Sequence, residues 1–209
     1  MTKATLILVR HGETAGESSV RYHGRSDVSL SALGRAQMRA VSRFLAQEKF
    51  ACVFSSPLKR ATESASLIAG GTAAITTVDE FAEIDFGLFE GLTAEEIRLR
   101  YPDHFARWSE RRFESSYAYP MGESRAAFAS RVDRGLEQVL KTWRETGREM
   151  ALGGSVLLAA HRGVIRSVAR RLIGVEPLSD LGSIQVLVHE ENWRVERLDV
   201  IDHLKDIAR

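Results

Sequence analysis

The chain has 209 residues, 44% of them hydrophobic, and its 29 lysines and arginines against 28 aspartates and glutamates leave a net charge of +1. That length suits one sizeable core and is short for two, so a single domain over residues 1–209 is expected. Balanced charge excludes a global attraction for nucleic acid, no apolar run approaches a membrane span, and no signal pattern precedes Thr5, so the expected location is the cytoplasm.

Residues 5–9 form a short apolar run with the β-branched content of a buried strand. It stops at Arg10, His11 and Gly12, where a cation, a nucleophile and a flexible residue emerge together. Ligands of open α/β sheets bind at the carboxyl ends of strands. An imidazole beside a guanidinium there suits a phosphoryl group: arginine grips phosphate oxygens in a fork, and its charge favours the neutral, nucleophilic imidazole. The same residues read equally well as a solvated pair in a turn.

A polar loop follows to about residue 30, then a helix over 31–47 with Leu33, Met38, Val41, Phe44 and Leu45 along one face. Residues 51–54 read as a second strand, and Cys52 within them, the sole cysteine, as a buried inert thiol. Ser56 and Pro57 look like the cap and first residue of a helix running to Ala69 and closed by Gly70 and Gly71. Residues 74–78 suit a third strand. Thr93 should cap a helix with acids in its first turn, and Pro102 interrupts the pattern before a further helix to about Phe113. The longest helix is expected over 123–146, with Phe128, Val132, Leu136, Val139 and Trp143 in the core. Residues 155–160 form an apolar strand, 163–173 a helix stopped by Gly174, and 184–188 and 193–198 two last strands joined by a turn. Strands separated by helices imply parallel pairing with right-handed crossovers, and the last two imply a hairpin at one edge. The expectation is an α/β fold: a three-layer α/β/α sandwich on a mostly parallel sheet with an antiparallel edge strand.

Three further strand ends carry chemistry. Arg60 falls in the first turn after the second strand, where helix N-termini attract anions. Glu83 and Asp85 follow the third strand among apolar neighbours, a setting in which a carboxyl can serve as an acid near neutral pH. His161 repeats the opening design of apolar strand, histidine, glycine and helix. The six histidines show no ligand spacing with cysteines or acids, so no metal site and no cofactor are expected.

With these pieces in order across nearly the whole chain, the sequence resembles the histidine phosphatase superfamily, the phosphoglycerate-mutase-like proteins. The carriers are LVRHGET (8–14), GRSD (24–27), SSPLKRA (55–61), EIDFG (83–87) with EGL (90–92), GES (122–124) and HRGVIR (161–166). The resemblance implies a phosphomonoesterase acting on a small phosphorylated metabolite. His11 would form a phosphohistidine, Arg10, Arg60 and His161 would surround the phosphoryl group, and Glu83 would act as acid and base. Ser18, Arg21 and Gly24 of the following loop would join the substrate site. Mutase activity and a non-catalytic phosphate-binding role are the alternatives, and a homodimer is left open.

Two positions depart from the family pattern. Glu17 stands where asparagine is common and should point away from phosphate, with Ser18 or Ser19 supplying a donor. Arg162 replaces a glycine and reads as solvated rather than pocket-facing. The separation of 78 positions from Glu83 to His161 is shorter than mutases commonly have, which favours a phosphatase. Arg107, Arg111, Arg112, Phe113, Tyr117 and Tyr119 in that stretch form either a lid or the wet face of a helix whose Trp108 packs inward.

Overall fold

The computed structural model describes residues 4–70, 73–150 and 154–207. In chain order the strands are β1 (Ala4–Arg10), β2 (Phe50–Ser55), β3 (Ile75–Thr77), β4 (Ser155–Ala160), β5 (Ile184–His189) and β6 (Trp193–Val200). The helices are α1 (Ala32–Phe44), α2 (Lys59–Ile68), α3 (Ala94–Arg100), α4 (Pro102–Arg111), α5 (Arg125–Met150) and α6 (Arg162–Ile173). The sheet order is β3-β2-β4-β1-β5-β6. Strands β1 to β4 pair in parallel, β5 runs antiparallel to β1, and β6 returns antiparallel to β5. The expected hairpin therefore closes one edge, and the strand that runs against the others is the penultimate one.

Period-two alternation along β1 builds two cores. Leu6 and Leu8 face one cluster with Phe81, Phe128, Val132 and Val164, while Ile7 and Val9 face another with Met38, Val41, Ala65 and Ile68. Helices α5 and α6 thus cover one face and α1 and α2 the other, which is the three-layer sandwich. A sheet buried on both faces explains why β1 and β4 read as unbroken apolar runs.

Several boundaries are set by side chains. Ser31 caps α1 through its hydroxyl to the Gly34 N–H at 3.0 Å. Thr93 and Glu96 form a reciprocal capping box on α3, and Pro102 occupies the first turn of α4. Gly174 ends α6 with φ of 72°, a left-handed conformation that a side chain would strain. Helix α2 differs from expectation. It starts at Lys59 behind an extended Leu58, not at Ser56 and Pro57; the Ser56 hydroxyl accepts the Leu58 N–H at 3.3 Å and also meets His161 Nε2 at 2.7 Å. Helix α1 ends at Phe44, three residues before the expected stop, α4 ends at Arg111, and α5 starts at Arg125 and continues to Met150. Gly70 takes a positive φ of 75°, as a helix terminator should; Gly71 lies outside the described residues.

Candidate active site

Sheet register assembles the site. Arg10 pairs with Ala160 across β1 and β4, so the next residue on each strand, His11 and His161, leaves the sheet side by side. The His11 N–H donates to the Ala160 carbonyl at 3.0 Å, and the two imidazoles meet edge to face with centroids 5.1 Å apart. On the other side of β4, Ser55 pairs with Ala159, which sets Ser56 against His161 and brings the start of α2, with Arg60, over His11.

His11 is buried, and its Nδ1–H donates to the Gly12 carbonyl at 2.7 Å. That bond leaves Nε2 with its lone pair, and this nitrogen accepts the Arg60 Nε–H at 3.2 Å. Burial first, then the Arg60 and Arg10 guanidinium charges, press the His11 pKa well below its ordinary 6.5. His161 is pressed down in the same way, by burial and then by Arg60. Its Nε2 meets the Ser56 hydroxyl at 2.7 Å, and its buried Nδ1 has no partner among the described residues. Both rings are therefore neutral at physiological pH.

Arg60 is fully buried. Its remaining donors reach backbone carbonyls of the loop after β1: Ser26 at 2.7 Å, His23 at 3.0 Å and Gly24 at 2.8 Å. That loop is in turn held by one carboxylate. Glu90 accepts the N–H groups of Gly24, Arg25, Ser26 and Phe86. Gly24 must be glycine for this, because a Cβ would sit 1.9 Å from the Ile84 carbonyl oxygen. Arg10 donates to the Ser179 carbonyl at 2.9 Å while its buried Nε has no partner. Burial, with Arg162 next, lowers its pKa to about 10, so it stays protonated.

Glu83 completes the group. Its Oε1 accepts the Ile84 N–H at 3.0 Å and its Oε2 the Gly163 N–H at 2.9 Å, the latter at the N-terminus of α6. A side chain at residue 163 would come within 2.4 Å of the carboxylate, so the glycine admits Glu83 to the helix end. Beneath it, Arg131 donates to the Glu83 carbonyl at 3.0 Å and pairs with Glu123 at 2.8 Å. Arg10, His11 and Glu83 open onto a cleft of about 470 Å³ whose lining also includes Ser18, Tyr119 and Arg162, while Arg60 and His161 are not among its lining residues.

The structure brings the expected Arg10, His11, Arg60, Glu83 and His161 together. Ser18 lines the cleft with its hydroxyl 2.8 Å from that of Thr14. Arg21 and Gly24 sit differently from expectation. Arg21 borders the cleft, but its guanidinium is held by Glu96 at 2.6 Å and the Gly91 carbonyl at 2.9 Å. Gly24 supports Arg60 through its carbonyl and is not among the lining residues. Glu17 does point away, towards Arg21 at 3.3 Å. Arg162 combines both readings, pairing with Asp180 at 3.0 Å while bordering the cleft. Of the 107–119 segment, Phe113 and Tyr119 reach the cleft, and Trp108 packs inward as expected. Ser56, Glu90 and Arg131 carried no assigned role in the sequence; Glu90 and Ser56 do lie inside quoted motifs. Among the described residues no group of three or more His, Cys, Asp or Glu could hold a metal ion.

Phosphoserine phosphatase 1 of Hydrogenobacter thermophilus is 34% identical over 173 residues, covering 82% of this chain and 77% of that one. The structure of a mycobacterial glucosyl-3-phosphoglycerate phosphatase superposes with a TM-score of 0.79 at 25% identity, over 95% of this chain and 100% of the other. The α-ribazole phosphatase of Shigella flexneri shares the fold with a TM-score of 0.79 at 24% identity, over 94% and 96% of the two chains. Residues 6–202 match the model of branch 1 of the histidine phosphatase superfamily, and the chain belongs to that family.

Proposed function

We propose that this protein hydrolyses small phosphomonoesters through a phosphohistidine on His11, without a metal ion, as a histidine acid phosphatase-type enzyme. The observation that carries the reading is the neutral His11, with Nδ1 tied to the Gly12 carbonyl and Nε2 directed to Arg60 in a buried, cationic site. A ring that keeps its lone pair well into the acid range can attack where an ordinary histidine would be protonated.

Nε2 attacks phosphorus in line, forming the P–N bond as the P–O bond to the leaving group breaks. The Glu83 carboxyl protonates the departing oxygen. Water then attacks phosphorus, gives its proton to Glu83, and the P–N bond breaks to return the lone pair to Nε2 and release phosphate. Arg10 Nε and His161 Nδ1, buried donors without partners, have the chemistry to bind the equatorial oxygens, and Arg60 can shift its Nε–H from Nε2 to one of them. Phosphoryl transfer needs mainly such positioning and charge neutralisation, which guanidinium groups supply here in place of a metal.

In this reading residues 1–209 act as one catalytic domain in the cytoplasm, on a small metabolite; the single sheet and near-balanced charge are what support it. The test is hydrolysis of p-nitrophenyl phosphate by the wild type and His11→Ala, with and without chelator. Turnover that needs His11 and ignores chelator is expected; turnover that survives His11→Ala or stops with chelator contradicts it.

A further inference from the structure

Beyond the reacting phosphoryl group, the cleft carries a second anion-binding feature. Arg162, Arg166 and Arg170 recur at four-residue steps along α6, so they share one face of the helix. All three border the cleft. With a rise of 1.5 Å per residue, Arg166 and Arg170 stand about 6 and 12 Å farther along the helix than Arg162. This stripe is under-neutralised. Arg162 pairs with Asp180, whereas Arg166 and Arg170 share the single carboxylate of Glu176, at 2.5 and 3.0 Å. The Nε of Arg166 is buried and has no partner among the described residues. Arg125, at the start of α5, also lines the cleft and makes no side-chain hydrogen bond or ion pair among the described residues. Glu176 itself borders the cleft, but one carboxylate between two guanidinium groups leaves most of their donors uncommitted. Apolar surface accompanies this charge: Phe113, 76% exposed, and Val20, 58% exposed, line the same cleft.

We propose that Arg125, Arg166 and Arg170 form a subsite for a second anionic group on the substrate. Resting on the phosphatase reading above, this makes the preferred substrate a phosphomonoester whose far end carries a carboxylate or a further phosphate. Arg125 and the free edge of Arg166 bind that group, Arg170 adds charge farther out, and the carbon body passes Phe113 and Val20. A neutral alcohol tail leaves these cations unpartnered, so discrimination comes from the tail and not from the phosphoryl end.

The test measures kcat/KM on matched pairs: 3-phosphoglycerate against glycerol 3-phosphate, and fructose 1,6-bisphosphate against fructose 6-phosphate. The first pair reports a carboxylate and the second a phosphate. The wild type should prefer the more anionic member of at least one pair by about tenfold or more, the value of one charge-assisted contact. Arg125→Gln and Arg166→Gln should each cut that preference by about tenfold, while Glu176→Gln, which frees both α6 arginines, should raise it. Opposite movement of the preference cannot arise from misfolding. Preferences near one for both pairs in the wild type, or a preference unmoved by Arg125→Gln and Arg166→Gln, overturn the subsite while p-nitrophenyl phosphate turnover leaves the phosphatase standing. Absence of turnover on every ester, p-nitrophenyl phosphate included, would sink both.

Discussion

The Arg60 Nε–H donates to His11 Nε2 at 3.2 Å, on the nitrogen proposed to take the phosphoryl group. Together with burial and the Gly12 carbonyl, this guanidinium holds the ring neutral with its lone pair on Nε2, and it ties the ring to the loop after β1. Replacing Arg60 with lysine keeps the charge but cannot reproduce the Nε contact and three carbonyl contacts together. Arg60→Lys should lower kcat by about a hundredfold or more and lower Tm as the loop at 23–26 loses its anchor. Wild-type kcat in this variant would show that charge alone suffices.

Glu83 should matter in proportion to how badly the leaving oxygen needs a proton. Glu83→Gln is expected to slow alkyl phosphates by about a hundred- to ten-thousandfold while costing p-nitrophenyl phosphate much less, since nitrophenolate departs without protonation. A plot of rate against leaving-group pKa checks this. Equal losses across the series would remove Glu83 from the acid role.

Ser56 is a positioning residue for His161. Because its hydroxyl oxygen already accepts the Leu58 N–H at 3.3 Å, we assign the hydroxyl proton to His161 Nε2 at 2.7 Å, which leaves the ring's own proton on Nδ1, the nitrogen with no partner among the described residues. Ser56→Ala lets the other tautomer form and should raise the inhibition constant for phosphate by about tenfold, one hydrogen bond to a charged group, with Tm little changed. The ring's tautomer, read by nitrogen NMR, should shift with it; a tautomer that stays put would place the effect elsewhere.

The two buried imidazoles also set an acid limit on stability. Their folded pKa values lie well below 6.5, so below about pH 6.5 the unfolded chain binds protons that the folded chain refuses. Stability present above that pH is therefore lost as pH falls, by about 1.4 kcal/mol per pH unit for each histidine. Urea midpoints between pH 7.5 and 5 should fall less steeply for His11→Gln than for the wild type. Equal slopes would mean that His11 protonates normally in the fold.

Much of this was legible in the sequence because the site sits where strands end. Runs 5–9 and 155–160 are apolar throughout because both faces of the sheet are covered, and the break at His11 and at His161 marks the exit of each strand. What the residues could not reveal was register. Only the pairing of Arg10 with Ala160 shows that the two histidines touch, and only the pairing of Ser55 with Ala159 shows that Ser56 reaches His161 as well as the start of α2. Arg21 borders the cleft, but what holds its guanidinium was hidden for a related reason. Its partner Glu96 lies 75 residues away, and a loop arginine looks free until the capping box that claims it is folded. Glu90, whose carboxylate orders the loop beneath Arg60, was visible only as part of a motif, because backbone N–H donors leave no mark on a sequence.

The most direct test of the phosphohistidine is to mix the enzyme with a phosphorus-32-labelled ester, quench within the first turnover, and map the label. The structure predicts an acid-labile, alkali-stable phosphohistidine at residue 11, absent from His11→Ala. Label on another residue, or full turnover by His11→Ala with no labelled protein, would contradict it.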